Sequence, residues 1–107
     1  MNSSKTRKAI NFDISNALLK ENYPSKNYKK GWGDIKLFLE NYQFTHRQYS
    51  GYVSKEGISM TDVGSIIDDM VIHYNWLRKC VLEFDVTIVG NEYSFLDRIQ
   101  KENSLYL

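Results

Sequence analysis

The groups in this chain whose spacing points to chemistry are carboxylates. Asp13 lies in the segment Ala9-Ile10-Asn11-Phe12-Asp13-Ile14, and Glu83 and Asp85 lie in Val81-Leu82-Glu83-Phe84-Asp85-Val86-Thr87-Ile88-Val89. Both segments alternate apolar and polar residues with period two, the pattern of a strand whose successive side chains point to opposite faces. Ile10, Phe12 and Ile14 then share one face, and Ala9, Asn11 and Asp13 share the other. In the later segment Leu82, Phe84, Val86 and Ile88 line one face, while Glu83, Asp85 and Thr87 share the opposite one with Val81 and Val89. If the two strands are neighbours, their apolar face packs on helices and their polar face gathers carboxylates around Asp13. A carboxylate so placed can act as a general base, or ligate a divalent cation such as magnesium through hard oxygen donors. A two-fold dimer would bring a second Asp13 close and double the available ligands.

Other residues suggest contacts to phosphate and bases. Tyr49, Ser50 and Tyr52 lie in a central hairpin, where aromatic rings can stack on unpaired bases and a hydroxyl can bond phosphate. Arg47, Arg78 and Lys79 are nearby cations for the same purpose. The clusters Lys5-Arg7-Lys8, Lys26-Lys29-Lys30 and Arg78-Lys79 otherwise read as solvated surface charge. His46, beside Arg47, is a further acid–base candidate for phosphodiester cleavage. His46 and His73 have no Cys-x-x-Cys or His-x-x-x-His spacing around them, which argues against zinc. Cys80 reads as a small buried hydrophobe. The sequence has no phosphate-binding glycine loop, no Gly-x-Ser-x-Gly elbow and no dinucleotide fingerprint.

The elements that must position these groups fit one domain. The chain has 107 residues, a net charge of +1, 42% hydrophobic and 14% aromatic residues, and a single cysteine, which excludes an internal disulfide framework. The near-neutral balance excludes electrostatics as the sole basis of strong nucleic-acid binding. No apolar run reaches the length of a membrane span, and Met1 to Lys8 lacks the apolar core of a secretory signal, so the expected location is cytoplasmic, with no membrane partner.

Residues 1–7 read as a polar N-terminal tail, and 8–107 as the domain. A strand over about Lys8 to Ile14 is followed by a short helical piece, Ala17 to Glu21, capped by Ser15 or Asn16 and ended before Tyr23-Pro24. Tyr28, Trp32, Ile35, Phe38, Leu39 and Tyr42 make one helical stripe over Lys26 to Tyr42, with Gly31 and Gly33 in it for packing. Phe44 to Gln48 and Ser50 to Ser54 are strands, and Lys55-Glu56-Gly57 is a turn. Ser59 or Thr61 starts a helix with Val63, Ile66, Ile67, Met70, Val71 and Tyr74 on one face. The second alternating strand follows, and Glu92 to Lys101 forms a C-terminal helix. The order predicts an α+β, ferredoxin-like βαββαβ fold: a four-stranded antiparallel sheet with two helices on one face, plus the terminal helix. Its other face, too polar for a dry core, suits a partly wet homodimer interface.

The run Ala9 to Ile14 resembles the opening Phe-Asp strand of the VapD virulence-associated proteins. Tyr28-Lys29-Lys30-Gly31-Trp32-Gly33-Asp34-Ile35 is similar to their Tyr-Asn-x-Ala-Tyr-x-Asp-Ile segment. Gln48-Tyr49-Ser50-Gly51-Tyr52-Val53 resembles their Gln-Gly-Ser-Val-Tyr hairpin, and Trp76-Leu77-Arg78-Lys79-Cys80-Val81 their Trp-Phe-Lys-Lys-Ser-Val run into the last strand. The resemblance spans about residues 8 to 90. It implies the ferredoxin-like homodimer that the family shares with the small CRISPR-associated integration-subunit proteins, and an endoribonuclease activity, in some members that of the toxin of a toxin–antitoxin pair with an antitoxin protein as partner. By resemblance Asp13 matches the strand-one aspartate at the dimer cleft, Ser50 the hairpin serine, and Glu83 the acid of the last strand. The chain departs from the pattern at Tyr49, Gly51 and Glu83, where the family prefers glycine, valine and aspartate. The competing expectation is a catalytically inactive nucleic-acid-binding or protein-interaction module on the same fold.

Overall fold

The first alternating segment becomes an inner strand and the last an edge strand of a single antiparallel sheet. The computed structural model describes residues 5–47, 51–90 and 95–100. In chain order the elements are β1 (Lys8–Ile14), α1 (Asn16–Asn22), α2 (Lys30–Asn41), β2 (Phe44–His46), β3 (Gly51–Ser54), α3 (Met60–His73), α4 (Leu77–Cys80), β4 (Val81–Ile88) and α5 (Leu96–Gln100). The strands lie in the order β2-β3-β1-β4, so β1 is hydrogen-bonded to both β3 and β4. That is the α+β, ferredoxin-like arrangement expected from the sequence.

One face of the sheet carries the core. Ile10, Phe12 and Ile14 of β1, Phe44 of β2 and Tyr52 of β3 are buried together with Leu19, Ile35, Leu39, Val63, Ile66, Met70, Leu77 and Cys80 from the four helices α1 to α4 and Trp76 just before α4. Phe12 is the hub of an aromatic stack, with ring centroids 5.6 Å from Phe84, 5.8 Å from Trp32 and 5.9 Å from Tyr52. Stacking of this kind adds a little to the burial of the rings themselves.

Local chemistry sets the helix ends. The Ser15 and Ser59 side chains accept from the Leu18 and Asp62 amides and so cap α1 and α3, satisfying donors that a helix leaves open in its first turn. The helix expected from Lys26 begins at Lys30, because Asn27 to Lys29 form tighter turns in which Lys30 N–H donates to Asn27 O and Gly31 N–H to Tyr28 O. Gly31 is buried, and a Cβ there would lie 3.0 Å from Leu19 Cδ1 and 3.2 Å from Trp76 Cη2, whereas one at Gly33 would meet nothing within 4 Å. Packing explains the first glycine but not the second. The Arg78-Lys79 stretch, expected to run straight into the strand, is the four-residue helix α4.

The strand alternation holds along β4 except at its start. Phe84, Val86 and Ile88 pair with Phe12, Ile10 and Lys8, and Glu83, Asp85 and Thr87 with Asp13, Asn11 and Ala9. The register then shifts between Asp13 and Ile14, so that Val81 stands opposite Ile14. An extra residue in one strand of a pair reverses the side on which the residues before it fall. The bulge corrects the expectation for two positions: Val81 is half-buried on the helix side, while Leu82 is 57% exposed.

Lys8 also differs from a solvated surface charge. It shares the inward face of β1 and is 1% exposed, and its ammonium donates to Thr6 O (2.8 Å), Thr6 Oγ1 (3.0 Å) and Ile58 O (2.7 Å). Its amide donates to Ser54 Oγ, and Arg7 Nε donates to Ser54 O. Three acceptors around one ammonium are what a cation withdrawn from water needs. Ile58 N–H donates to Thr6 O, so the residues just before β1 are bound to the loop after β3. Among the described residues no helix is long and apolar enough to cross a membrane.

Candidate functional site

The face of the sheet away from the helices collects the acids. Asp13 and Glu83 are direct cross-strand partners, Asn11 and Asp85 are the next such pair on that face, and all four are exposed. Directly opposed side chains hold their Cβ atoms about 5 Å apart, close enough for two carboxylates to address one ligand. The bulge comes immediately beyond this pair, and bulges at strand ends re-aim the side chains beside them. The convergence of acids expected around Asp13 is therefore present.

The cations lie at the same end of the sheet, Arg47 beside one edge strand and Arg78 and Lys79 beside the other. β2 runs parallel to β1, and the β2–β3 hairpin closes at the end where β1 finishes, with Arg47 N–H donating to Gly51 O (2.7 Å) and Gly51 opposite Asn11. Arg47 is exposed there. α4 sits at that end too, because Ser15 N–H, just after β1, donates to Cys80 O (2.9 Å). Arg78 and Lys79 are exposed on α4 and, with Asn22, Asn75 and Trp76, line a hollow of about 270 Å³. Two cations and two amides suit an anion. Asn22 and Asn75 were not singled out from the sequence, since only the contact of α1 with α4 brings them together. Ser50 and Tyr49, the remaining residues expected in the site, lie outside the described residues.

Other candidates fall elsewhere. Tyr52 is buried on the helix side, where burial, and then the Glu40 charge, push its phenol up to about 12. His46 pairs with Tyr52 and stacks on it at 4.7 Å between centroids, on the opposite face of the sheet from Asp13. Cys80 is fully buried, as expected, and burial pushes its thiol up against the opposing pull of Lys79. Among the described residues no group of three or more His, Cys, Asp or Glu side chains is placed to hold a metal ion.

Beside the hollow, Tyr23 O–H donates to Asp34 Oδ2 at 2.5 Å and packs edge-on against Trp76, with centroids 5.1 Å apart. Burial, with the Asp34 bond and charge adding to it, pushes the Tyr23 phenol up to about 12. Trp32 Nε1 donates to Asn16 Oδ1 at 2.9 Å. These bonds tie α1 to α2 and fix the run that follows Asp13. No known family model and no curated protein matches the chain.

Proposed function

We propose that this protein is a VapD-like homodimeric endoribonuclease, with Asp13 as the general base and Glu83 supporting it. The observation that carries the reading is the direct pairing of Asp13 with Glu83 on the open face, at the end of the sheet that also holds Arg47, Arg78 and Lys79. A carboxylate aimed at a ribose 2′-hydroxyl can take its proton as the oxygen attacks the adjacent phosphorus, its bond to the 5′-oxygen breaks and that leaving oxygen takes a proton from water. The product would be a 2′,3′-cyclic phosphate. Arg47, Lys79 and Ser50 would hold the phosphate, and Arg78 and Tyr49 would add backbone and stacking contacts, since charge-assisted bonds favour the more anionic transition state. An antitoxin protein is the partner this reading adds if the nuclease serves as a toxin.

The test compares cleavage of a mixed-sequence RNA by the purified protein and by Asp13→Asn, with RNA binding measured on both. Loss of cleavage with retained binding is expected for the variant. Equal cleavage by both removes Asp13 from the chemistry. Binding without cleavage by either supports instead the catalytically silent RNA-binding module.

A further inference from the structure

The apolar stripe of α3 is wider than its packing on the sheet covers. Val63, Ile66 and Met70 are buried, while Ile67 and Val71, one position further round the helix, stay half-buried. Those two share a face, since residues four apart are neighbours on a helix. Phe84 and Val86 face the helix side of β4, at the edge of the sheet, and are half-buried as well. Between the helix and this outer strand lies an open apolar groove of about 410 Å³, with the buried Met70 and Leu77 in its lining.

Among the described residues Arg78 is the one charged group that lines the groove. The same side chain also lines the hollow of Asn22, Asn75, Trp76 and Lys79. An apolar groove and a cationic, amide-bearing hollow therefore meet at a single guanidinium. Its paired N–H donors match a carboxylate, and the Lys79 ammonium and two side-chain amides supply further donors beside it. The groove falls within the size range of small-molecule sites, and the residues forming it are far fewer than the roughly 20–30 a side that a protein partner occupies.

We propose that the groove binds a single-chain fatty acid, with its hydrocarbon tail along Ile67, Val71, Phe84 and Val86 and its carboxylate on Arg78. Burial of the tail supplies the affinity, and the guanidinium fixes which end lies where, as a few placed polar groups do in an otherwise apolar pocket. The inference does not rest on the nuclease reading, in which Arg78 makes a backbone contact, and its failure leaves the roles of Asp13 and Glu83 untouched.

Isothermal titration calorimetry on the full chain with hexanoate, octanoate and decanoate tests it. Affinity is expected to rise about fourfold with each added methylene, the gain from withdrawing one such group from water. Arg78 is exposed, so Arg78→Gln keeps the fold. That variant is expected to weaken octanoate about tenfold, the worth of a hydrogen bond to a charged group, and to leave octanol, which has the same tail and no charge, unchanged. Val71→Trp, which places a ring in the groove, is expected to abolish binding of both while its thermal melt stays cooperative. A wild type that does not bind octanoate, an affinity indifferent to tail length, or an Arg78→Gln variant that binds octanoate as before or loses octanoate and octanol equally would each overturn the proposal. So would a wild-type dimer in sedimentation that Val71→Trp disperses, which would give the groove to a second copy.

Discussion

Asp13 stands directly across from Glu83 on neighbouring antiparallel strands, both exposed and both acidic. Like charges in that relation destabilise a sheet by a few tenths to about 1 kcal/mol. The pair is therefore a local cost to the fold, and its removal should show in two readouts of opposite sign. Asp13→Asn should raise the unfolding free energy read from urea denaturation by an amount within that range. RNA cleavage should fall about 100-fold or more, the usual contribution of a positioned base. A variant that loses both stability and cleavage would mark Asp13 as structural.

Gly57 is required by a close approach of backbone. A Cβ there would lie 1.7 Å from the Lys5 carbonyl oxygen, a distance no side chain rotation can relieve. Gly57→Ala must push apart the segments joined by the Ile58 N–H to Thr6 O bond and by the Lys8 ammonium on Ile58 O. A loss of about 1–3 kcal/mol is expected in chemical denaturation, the range for overpacking with broken buried bonds.

The two glycines of α2 should separate in thermal melts. Gly33→Ala gains helix propensity with no neighbour to displace and should stabilise by roughly 0.5–1 kcal/mol, a rise of a few degrees in Tm. Gly31→Ala gains the same propensity but presses on Leu19 and Trp76, so its Tm should fall below that of Gly33→Ala.

Alkaline pH should weaken the fold through Tyr23. Its phenol is pushed up to about 12 when folded, against about 10 in an unfolded chain, so above pH 10 the unfolded state has released a proton that the folded state still holds. Stability from this group is fully present below pH 10 and is lost as pH rises towards 12. Tyr23→Phe should flatten that decline, read as the difference between the urea midpoints of variant and wild type from pH 9 to 12. A difference that does not change with pH would contradict the linkage.

Period-two alternation made β1, β4 and their pairing legible in the sequence, because a face-splitting pattern fixes which residues can be neighbours. The Ser15 and Ser59 caps were equally readable, since the cap, the helix and the amide it binds are local. The bulge was not: Val81 and Leu82 are both apolar, and only pairing with Ile14 decides which faces inward. The fate of Lys8 was hidden because its three acceptors come from Thr6 and from Ile58, fifty residues away. Of the site, the acids could be found from their spacing, but the hollow of Asn22, Asn75, Arg78 and Lys79 depends on α1 meeting α4, which no local pattern encodes.

The first strand to be synthesised is an inner one. β1 has β3 on one side and β4 on the other, and its leading lysine is closed over by Ile58. Nothing made before residue 51 can complete a hydrogen-bonded ladder on either edge of β1, and the second ladder waits for residues 81–88. Contacts so distant along the chain slow folding. On a ribosome the sheet must therefore assemble late, after residues 81–88 have left the exit tunnel, and until then Ile10, Phe12 and Ile14 are surface for a chaperone to hold.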